Sequence, residues 1–462
     1  MSNLTEIAYL LTSILFILGV MRLRSPATAR SGNLLAGVGM VIALITVVVT
    51  NHHFSYVWVG VVVLAGAVVG TVSARRVRMT AMPQMVALFN GMGGGAAALV
   101  SIGEWLRTAS TGSSLTVTAA LAALFSILIG SISFTGSVLA FLKLQEWISG
   151  RPVTYSGQKI VNGVLFAGAL VVAIILTVKG PASLAVLFWL FVLVALALGV
   201  LVTMPIGGAD MPVVISLLNA FTGLAAAATG FLLANNVLII AGALVGASGT
   251  ILTQQMSRAM NRPIANIFFG AFGQVAAGGA VTASDGVVQS ATVEDVAMLL
   301  AYARRVVIVP GYGLAVARAQ QEVRQLADKL APRGVDVTFG IHPVAGRMPG
   351  HMNVLLAEAN VPYEKLYEME SINPEFPETD VVLVIGANDV TNPAARNQPS
   401  SPLYGMPILN VDQARRVIVL KRSMSPGFAG IDNPLYTNPK TSMLFGDAKA
   451  TVGQLLRAMD EV

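Results

Sequence analysis

The first 260 or so residues alternate between long apolar runs and short polar joints, and the runs set the architecture. Each is about 18 to 25 residues long, enough to cross a hydrocarbon core of about 30 Å as a helix. Nine such runs are readable, at 4–21, 33–50, 55–74, 83–102, 117–142, 158–178, 181–204, 211–234 and 236–256. The first has no basic stretch before it and no small-residue cleavage pattern after it, so it reads as a span rather than a cleaved signal. Residues 263–290 are rich in Gly and Ala and nearly uncharged up to Asp285, which predicts a linker. From 291 the pattern changes to short β-branched runs, at 306–309, 335–340, 381–385 and 417–420, separated by helical stretches. That alternation predicts βαβ units around a parallel sheet. The expected domains are therefore a transmembrane region at 1–262, a linker at 263–290 and a soluble domain at 291–462.

Composition agrees with a bilayer protein: 55% of residues are hydrophobic and 11% charged, against roughly 25% charged in soluble domains. The net charge of +6 does not indicate nucleic acid, because the Arg residues sit between apolar runs instead of forming one stripe. Arg22, Arg24 and Arg30 follow the first run, Arg75, Arg76 and Arg78 follow the third, and Arg151 and Lys159 lie between the fifth and sixth. Loops two and four hold only Arg107, so the charge bias predicts an external N-terminus and a cytoplasmic C-terminal domain. The chain has no Cys, which rules out disulfides, thiolate catalysis and cysteine metal sites. Small residues recur within the runs, at 91–95 and 242–249, where they serve either close helix packing or a pore lining.

The sharpest local chemistry comes directly after the run at 306–309. Gly311, Tyr312, Gly313 and Val316 form a Gly-x-Gly-x-x-Val turn between a strand and a helix expected to reach about 330. Glycines there allow a tight turn and let backbone N–H groups approach a pyrophosphate. No acidic residue ends the second strand, where a ribose-binding carboxylate belongs; His342 and Pro343 stand there instead, which disfavours an ordinary NAD site. Lys421, Arg422 and Ser423 come after the strand at 417–420, at the sheet edge where ligands bind, and suit a 2′-phosphate. Gly386, Ala387, Asn388 and Asp389 end another strand and read equally as a ligand edge or an Asn-Asp turn. The loop 340–353 packs Pro, Gly, His and Arg together, with Arg347 suited to a phosphate. His342 and His351 have no acidic or Cys partner nearby, so no metal site is expected.

The glycine turn at 311–317, the loop 342–354, Gly386–Asp389, Lys421–Met424 and Phe445–Lys449 resemble the NADP(H)-binding domain of the β subunits of proton-translocating NAD(P) transhydrogenases. In the apolar half, 207–214 and 259–262 are similar to the same subunits, and the motifs keep the family's order through nearly the whole chain. The resemblance implies a polytopic α-helical membrane domain of about nine transmembrane helices, followed by a soluble α/β Rossmann-like domain with a parallel sheet. It implies NADP(H) bound on this chain, and NAD(H) bound on a partner α subunit that carries further transmembrane helices. It also implies a dimer of the αβ unit in the bacterial cytoplasmic (inner) membrane, with no part for nucleic acid. Hydride would pass directly between the two nicotinamides, with no acid or base side chain, coupled to inward proton movement. By the same resemblance, Gly311, Tyr312, Gly313, Val316, His342, Val344, Ala345, Gly346 and Arg347 embrace the pyrophosphate region. Lys421, Arg422 and Ser423 hold the 2′-phosphate, Gly386, Ala387, Asn388 and Asp389 lie near the nicotinamide, and Gly446, Asp447 and Ala448 complete the nucleotide site. Asp210, Asn219 and Arg262 match positions tied to proton conduction and coupling.

This chain departs from some family members in having Asn90 where they carry a membrane histidine. Its four histidines, His52, His53, His342 and His351, all lie outside the predicted spans, and no span interior holds Asp or Glu. A proton relay normally uses ionisable groups, so the titrating group is expected from a partner helix, with Asn90 and Asn219 along the path; Asn90 could equally serve as an interhelical hydrogen bond. Phe428 stands where the family pattern has tyrosine. A nucleotide-gated channel with a sensing Rossmann domain is the alternative, although the spans show no selectivity filter or substrate-binding break.

Overall fold

A computed structural model describes residues 2–23, 26–50, 55–77, 81–145, 147–149, 153–181, 184–207, 210–260, 264, 287–346, 350–399, 401, 403–427 and 429–462. By contacts the chain divides into two compact units, Met1–Ile206 with Val213–Thr253, and Gly207–Pro212 with Gln254–Val462. His52, His53, Arg262, Arg347, Phe428 and most of 263–290 lie outside the described residues.

The apolar half forms α1 (Ser2–Leu23), α2 (Pro26–Thr50), α3 (Tyr56–Arg76), α4 (Met82–Thr111), α5 (Val117–Leu144), α6 (Gln158–Lys179), α7 (Ala185–Thr203), α8 (Met211–Leu232) and α9 (Asn236–Ala259). All nine are long and apolar enough to cross a membrane, matching the nine runs read from sequence. Their ends differ in places. The fourth extends past 102 to a left-handed Gly112, so Glu104 and Arg107 sit on the helix as an ion pair rather than in a loop. Apolar periodicity fades before the hydrogen-bond ladder does, and Gly112 is what stops the ladder. The fifth starts at a Thr116 cap and reaches Leu144, which brings Lys143 inside it.

The small residues pack helices together. A Cβ on Gly242 of α9 would lie 2.6 Å from the Gly223 carbonyl on α8, and one on Gly249 would lie 2.9 Å from the Ala220 nitrogen. A Cβ on Gly94 of α4 would come 3.0 Å from the Gly130 carbonyl on α5. At these contacts the helix backbones touch, which favours the packing reading over a pore lining.

The soluble half holds six parallel strands: β1 (Arg305–Pro310), β2 (Asp336–Ile341), β3 (Leu366–Glu368), β4 (Val381–Ile385), β5 (Arg416–Lys421) and β6 (Thr441–Phe445), in the order β3-β2-β1-β4-β5-β6. Four of them match the β-branched runs. Leu366–Glu368 is too short to register as a run, and Thr441–Phe445 contains only three apolar residues. Every residue of β4 is buried, as expected where helices cover both faces of a sheet. The core joins Val307, Val382, Val384, Val417 and Val419 to Phe376, Leu409 and Leu435. Residues 289–291 are bonded to the sheet, since the Gln289 carbonyl accepts from Met443 N at 2.7 Å and Ala291 N donates to the Met443 carbonyl at 2.9 Å. Helix α10 (Val293–Ala301) then starts at a capping box in which the Thr292 side chain and the Asp295 carboxylate each take the other's backbone N–H.

Helix packing gives a direct test. Gly242→Val is expected to separate α8 from α9 and destabilise the protein by about 1–3 kcal/mol. Gly60→Val on α3, where a Cβ meets nothing within 4 Å, leaves stability unchanged. Thermal unfolding of both variants in detergent checks the contrast.

Candidate functional site

The strand order reverses between β1 and β4, and at their carboxyl ends lies a cavity of about 610 Å³. In open α/β sheets this reversal opens a crevice because the connections leave in opposite directions. The chain turns from β1 into α11 (Tyr312–Ala317) at Gly311. The helix is six residues long and stops at Arg318, whose φ of 54° is left-handed, and α12 (Gln320–Leu330) then starts afresh. The continuous helix to 330 expected from sequence is therefore two helices, because the left-handed residue ends the first hydrogen-bond ladder.

The glycines serve the protein's own packing. Gly311 N donates to the Ile385 carbonyl and Gly313 N to the Gly386 carbonyl, both at 2.9 Å, so the turns after β1 and β4 are bonded to each other. A Cβ on Gly313 would lie 2.7 Å from the Gly386 Cα, and one on Gly311 would run into Ala387. Gly386 itself has φ of +65°, which a side chain disfavours, and a Cβ there would strike Gly313.

Around this crossing stand most of the residues singled out from sequence. Tyr312, Val316, Val344, Ala345, Gly346, Asn388, Asp389, Lys421, Arg422, Ser423, Gly446, Asp447 and Ala448 line the cavity together with the three glycines and Ala387. Their states differ. The Lys421 ammonium donates to the Ser425 carbonyl and stands 5.0 Å from the centre of the Tyr436 ring. Burial lowers its pKa, opposed by Asp389 and Asp432. Arg422 is exposed and has no hydrogen bond or ion pair among the described residues, which leaves its guanidinium available to an anion. The Ser423 hydroxyl is 2.9 Å from that of Ser425. The Asp447 carboxylate is engaged as the cap of α13 (Ala448–Glu461), taking the N–H groups of Lys449 and Ala450.

Asn388 is held in one orientation. Its Oδ1 accepts from the Tyr436 hydroxyl at 2.8 Å and from Asn433 Nδ2 at 3.1 Å. That leaves Nδ2 as a buried donor at the cavity wall with no partner among the described residues, so an acceptor fits there. Asp389 accepts from Ala429 N at 2.9 Å, and Gly427 packs on its carboxylate so closely that a side chain at 427 would not fit. Gly427 and Ala429 are thereby drawn against Asp389 along the cavity's edge. Sequence reading missed Asn433, Tyr436, Ser425 and the apolar lining residues Leu403 and Met406. Only the Asn433-Pro434 turn signal pointed to any of them.

His342 is placed differently from the expectation. It is buried beside the cavity without lining it, and Val344 N donates to its Nδ1 at 3.3 Å. Nε2 therefore carries the proton and donates to the Pro407 carbonyl at 2.9 Å. The ring tethers the loop after β2 to the segment before β5.

In the apolar half, Asn90 is buried and its Nδ2 donates to Ser137 Oγ at 3.0 Å, while its carbonyl accepts from Thr222 Oγ1 at 3.2 Å. The Thr222 and Ser133 hydroxyls are 2.7 Å apart, and those of Ser126 and Thr229 2.8 Å. Asn219 lies half-buried on α8, one turn before Thr222, and Asp210 is buried just ahead of α8. Polar groups thus form a seam through α4, α5 and α8. Asn90 makes the interhelical hydrogen bond that was one of its two readings, and its Oδ1 remains a buried acceptor without a partner among the described residues.

The histidine generates a pH test. Burial pushes His342 down to about 4, against the Pro407 carbonyl and Glu370, which raise it. Its ordinary value is 6.5. The unfolded chain therefore binds a proton that the folded chain resists, and stability, full above 6.5, falls as pH drops toward 4, by about 3 kcal/mol. Hydrogen exchange of the β2 and β4 amides at pH 7 and 4.5 measures this, and His342→Gln, which cannot charge, is expected to remove most of the pH dependence.

Comparison with known proteins places this architecture. The family model described as NAD(P) transhydrogenase beta subunit matches residues 5–458. Two curated sequences from Rhodospirillum rubrum, both named NAD(P) transhydrogenase subunit beta, are 48% identical over 466 residues, covering 99% of each chain. With nine candidate spans, a doubly wound parallel sheet and a match along nearly its whole length, the chain belongs to the NAD(P) transhydrogenase beta subunit family.

Proposed function

We propose that this chain binds NADP(H) in its soluble unit and couples hydride exchange with NAD(H), held on an α subunit, to inward proton movement. As a β subunit it is a membrane component of a transhydrogenase, an enzyme whose chemistry requires nicotinamide nucleotides and a subunit partner. The observation that carries the nucleotide assignment is one cavity, at the strand-order reversal, combining a backbone cradle with an unpaired cation. Gly311 and Gly313 supply the cradle, Arg422 supplies the cation, and the Asn388 amide offers an oriented donor. A carboxylate after β2 would select a free ribose hydroxyl; this chain has His342 there and its cations after β5, which favours a phosphorylated ribose.

The bound nucleotide supplies the hydride chemistry, and the side chains bind and orient. Arg422 and Ser423 hold the phosphate. Lys421, already tied to the Ser425 carbonyl, shapes the cationic loop more than it reaches the ligand. Asn388 fixes a polar group at the other end, and the segment against Asp389 excludes water from one side. No side chain needs to act as acid or base.

The membrane region is read as 1–262, the linker as 263–290 and the nucleotide domain as 291–462. The Arg-bearing joints lie on the cytoplasmic side, the N-terminus lies outside and the assembly is a dimer of the αβ unit in the inner membrane. Among the described residues no candidate span buries a His, Asp or Glu, which supports a titrating group on the partner's helices with Asn90, Asn219 and water completing the path. A proton gradient can drive the reaction only if protonation alters the relative affinity for the oxidised and reduced nucleotide through a two-state element. Asp210, Arg262 and the linker are assigned to that element.

Calorimetry on the full chain in detergent tests the nucleotide assignment. NADPH is expected to bind at least tenfold more tightly than NADH, with Arg422→Ala weakening NADPH by about 10- to 100-fold, the range for a charge-assisted contact. Equal affinity for the two nucleotides overturns it. In vesicles with the α subunit, Asn90→Ala should slow coupled turnover by about tenfold through loss of a buried polar link; unchanged proton uptake removes Asn90 from the path.

A further inference from the structure

Helix α5 packs on α7 along one stripe. Ile132, Gly136, Leu139 and Ala140 of α5 are buried, Thr135 Oγ1 donates to the Leu196 carbonyl at 2.8 Å, and a Cβ on Gly136 would lie 2.9 Å from Thr203 Oγ1. Helical spacing brings Lys143 onto the same stripe, one turn beyond Leu139 and Ala140. It is 2% exposed, and among the described residues it is the one charged side chain buried within a candidate span.

The Lys143 ammonium donates to the carbonyl of Met204 and, at 2.9 Å, to that of Ile206. The Met204 carbonyl also accepts from Val153 N at 3.2 Å. Met204 and Ile206 lie just past the end of α7, where the helix leaves carbonyls without helical donors and its dipole favours a cation. A neutral amide could bond the same carbonyls, whereas burying an ammonium carries a desolvation cost unless its surroundings compensate. A helix cap alone therefore does not account for a lysine here.

The segment beyond Ile206 does account for it. Ile206 closes the first part of one unit and Gly207–Pro212 is grouped with the other, so the chain changes unit directly after the residue that Lys143 holds. Four residues on is Asp210, 2% exposed, whose N–H donates to the Gly207 carbonyl at 3.1 Å. Helix α8, with Asn219 and Thr222, begins at Met211. We infer that Lys143 is a positioning residue for energy coupling: its ammonium pins the Met204–Ile206 segment and so fixes the point from which the Gly207–Asp210 turn and α8 depart. With that point fixed, a displacement at Asp210 is passed on to α8 instead of being absorbed before it. The inference rests on the proposed coupling of nucleotide exchange to proton movement.

The test uses the full chain with its α subunit in vesicles, comparing wild type, Lys143→Met, which keeps the bulk and removes the charge, and Lys143→Arg. Lys143→Met is expected to lower proton uptake per hydride transferred about tenfold, leave NADPH affinity within about twofold and raise hydrogen exchange in 204–212, with Lys143→Arg restoring most of the uptake. Unchanged uptake in Lys143→Met overturns the inference. So does loss of uptake only in step with NADPH binding and thermal stability, or a failure of Lys143→Arg to restore uptake. A wild-type assembly that transfers hydride without moving protons overturns the coupling reading itself, and the inference with it.

Discussion

The soluble unit depends on the contact between the turns after β1 and β4. Gly311 and Gly313 donate to the Ile385 and Gly386 carbonyls, and no Cβ fits at either glycine or at Gly386. Two strands that leave the sheet toward opposite sides can remain bonded past their ends only if both turns are backbone alone. That contact builds the cavity wall and aims both turns at it. The protein's own packing is enough to require these glycines.

The same device recurs in the apolar half, where lipid tails supply no hydrophobic drive between helices and close backbone approach matters most. Gly94 meets Gly130, and Gly242 and Gly249 meet Gly223 and Ala220. The helices brought this close then pair their few polar groups, so Asn90, Ser133, Ser137 and Thr222 bond across α4, α5 and α8. Apolar surroundings make an unpaired group costly, which makes the unpartnered Asn90 Oδ1 the notable exception on this seam.

The cations divide by role according to what surrounds them. Lys421 and Lys143 both give their ammonium groups to backbone carbonyls, one shaping the loop after β5 and the other closing a helix end. Arg422, one residue from Lys421, is left unpaired among the described residues. Neighbours in sequence thus meet different surroundings, since Lys421 ends β5 with its ammonium on a backbone carbonyl and Arg422, just beyond the strand, is exposed.

By itself the sequence determined the nine apolar helices, the parallel sheet and most of the residues that meet at the strand-order reversal, because run length, β-branched alternation and the glycine turn are local signals. It did not determine where α4, α5 and the helix after the glycine turn end, since Gly112 and Arg318 stop two of those ladders by their backbone conformation. The short strands β3 and β6 form because their neighbours offer partners, not because their own residues demand it. Only the tertiary structure decided that Asn433 and Tyr436 orient Asn388, that His342 ties two loops together beside the cavity, and that Lys143 belongs to α7's end. Each of these is a contact between residues tens of positions apart, and no periodicity or spacing along the chain encodes which distant carbonyl or amide a side chain will meet.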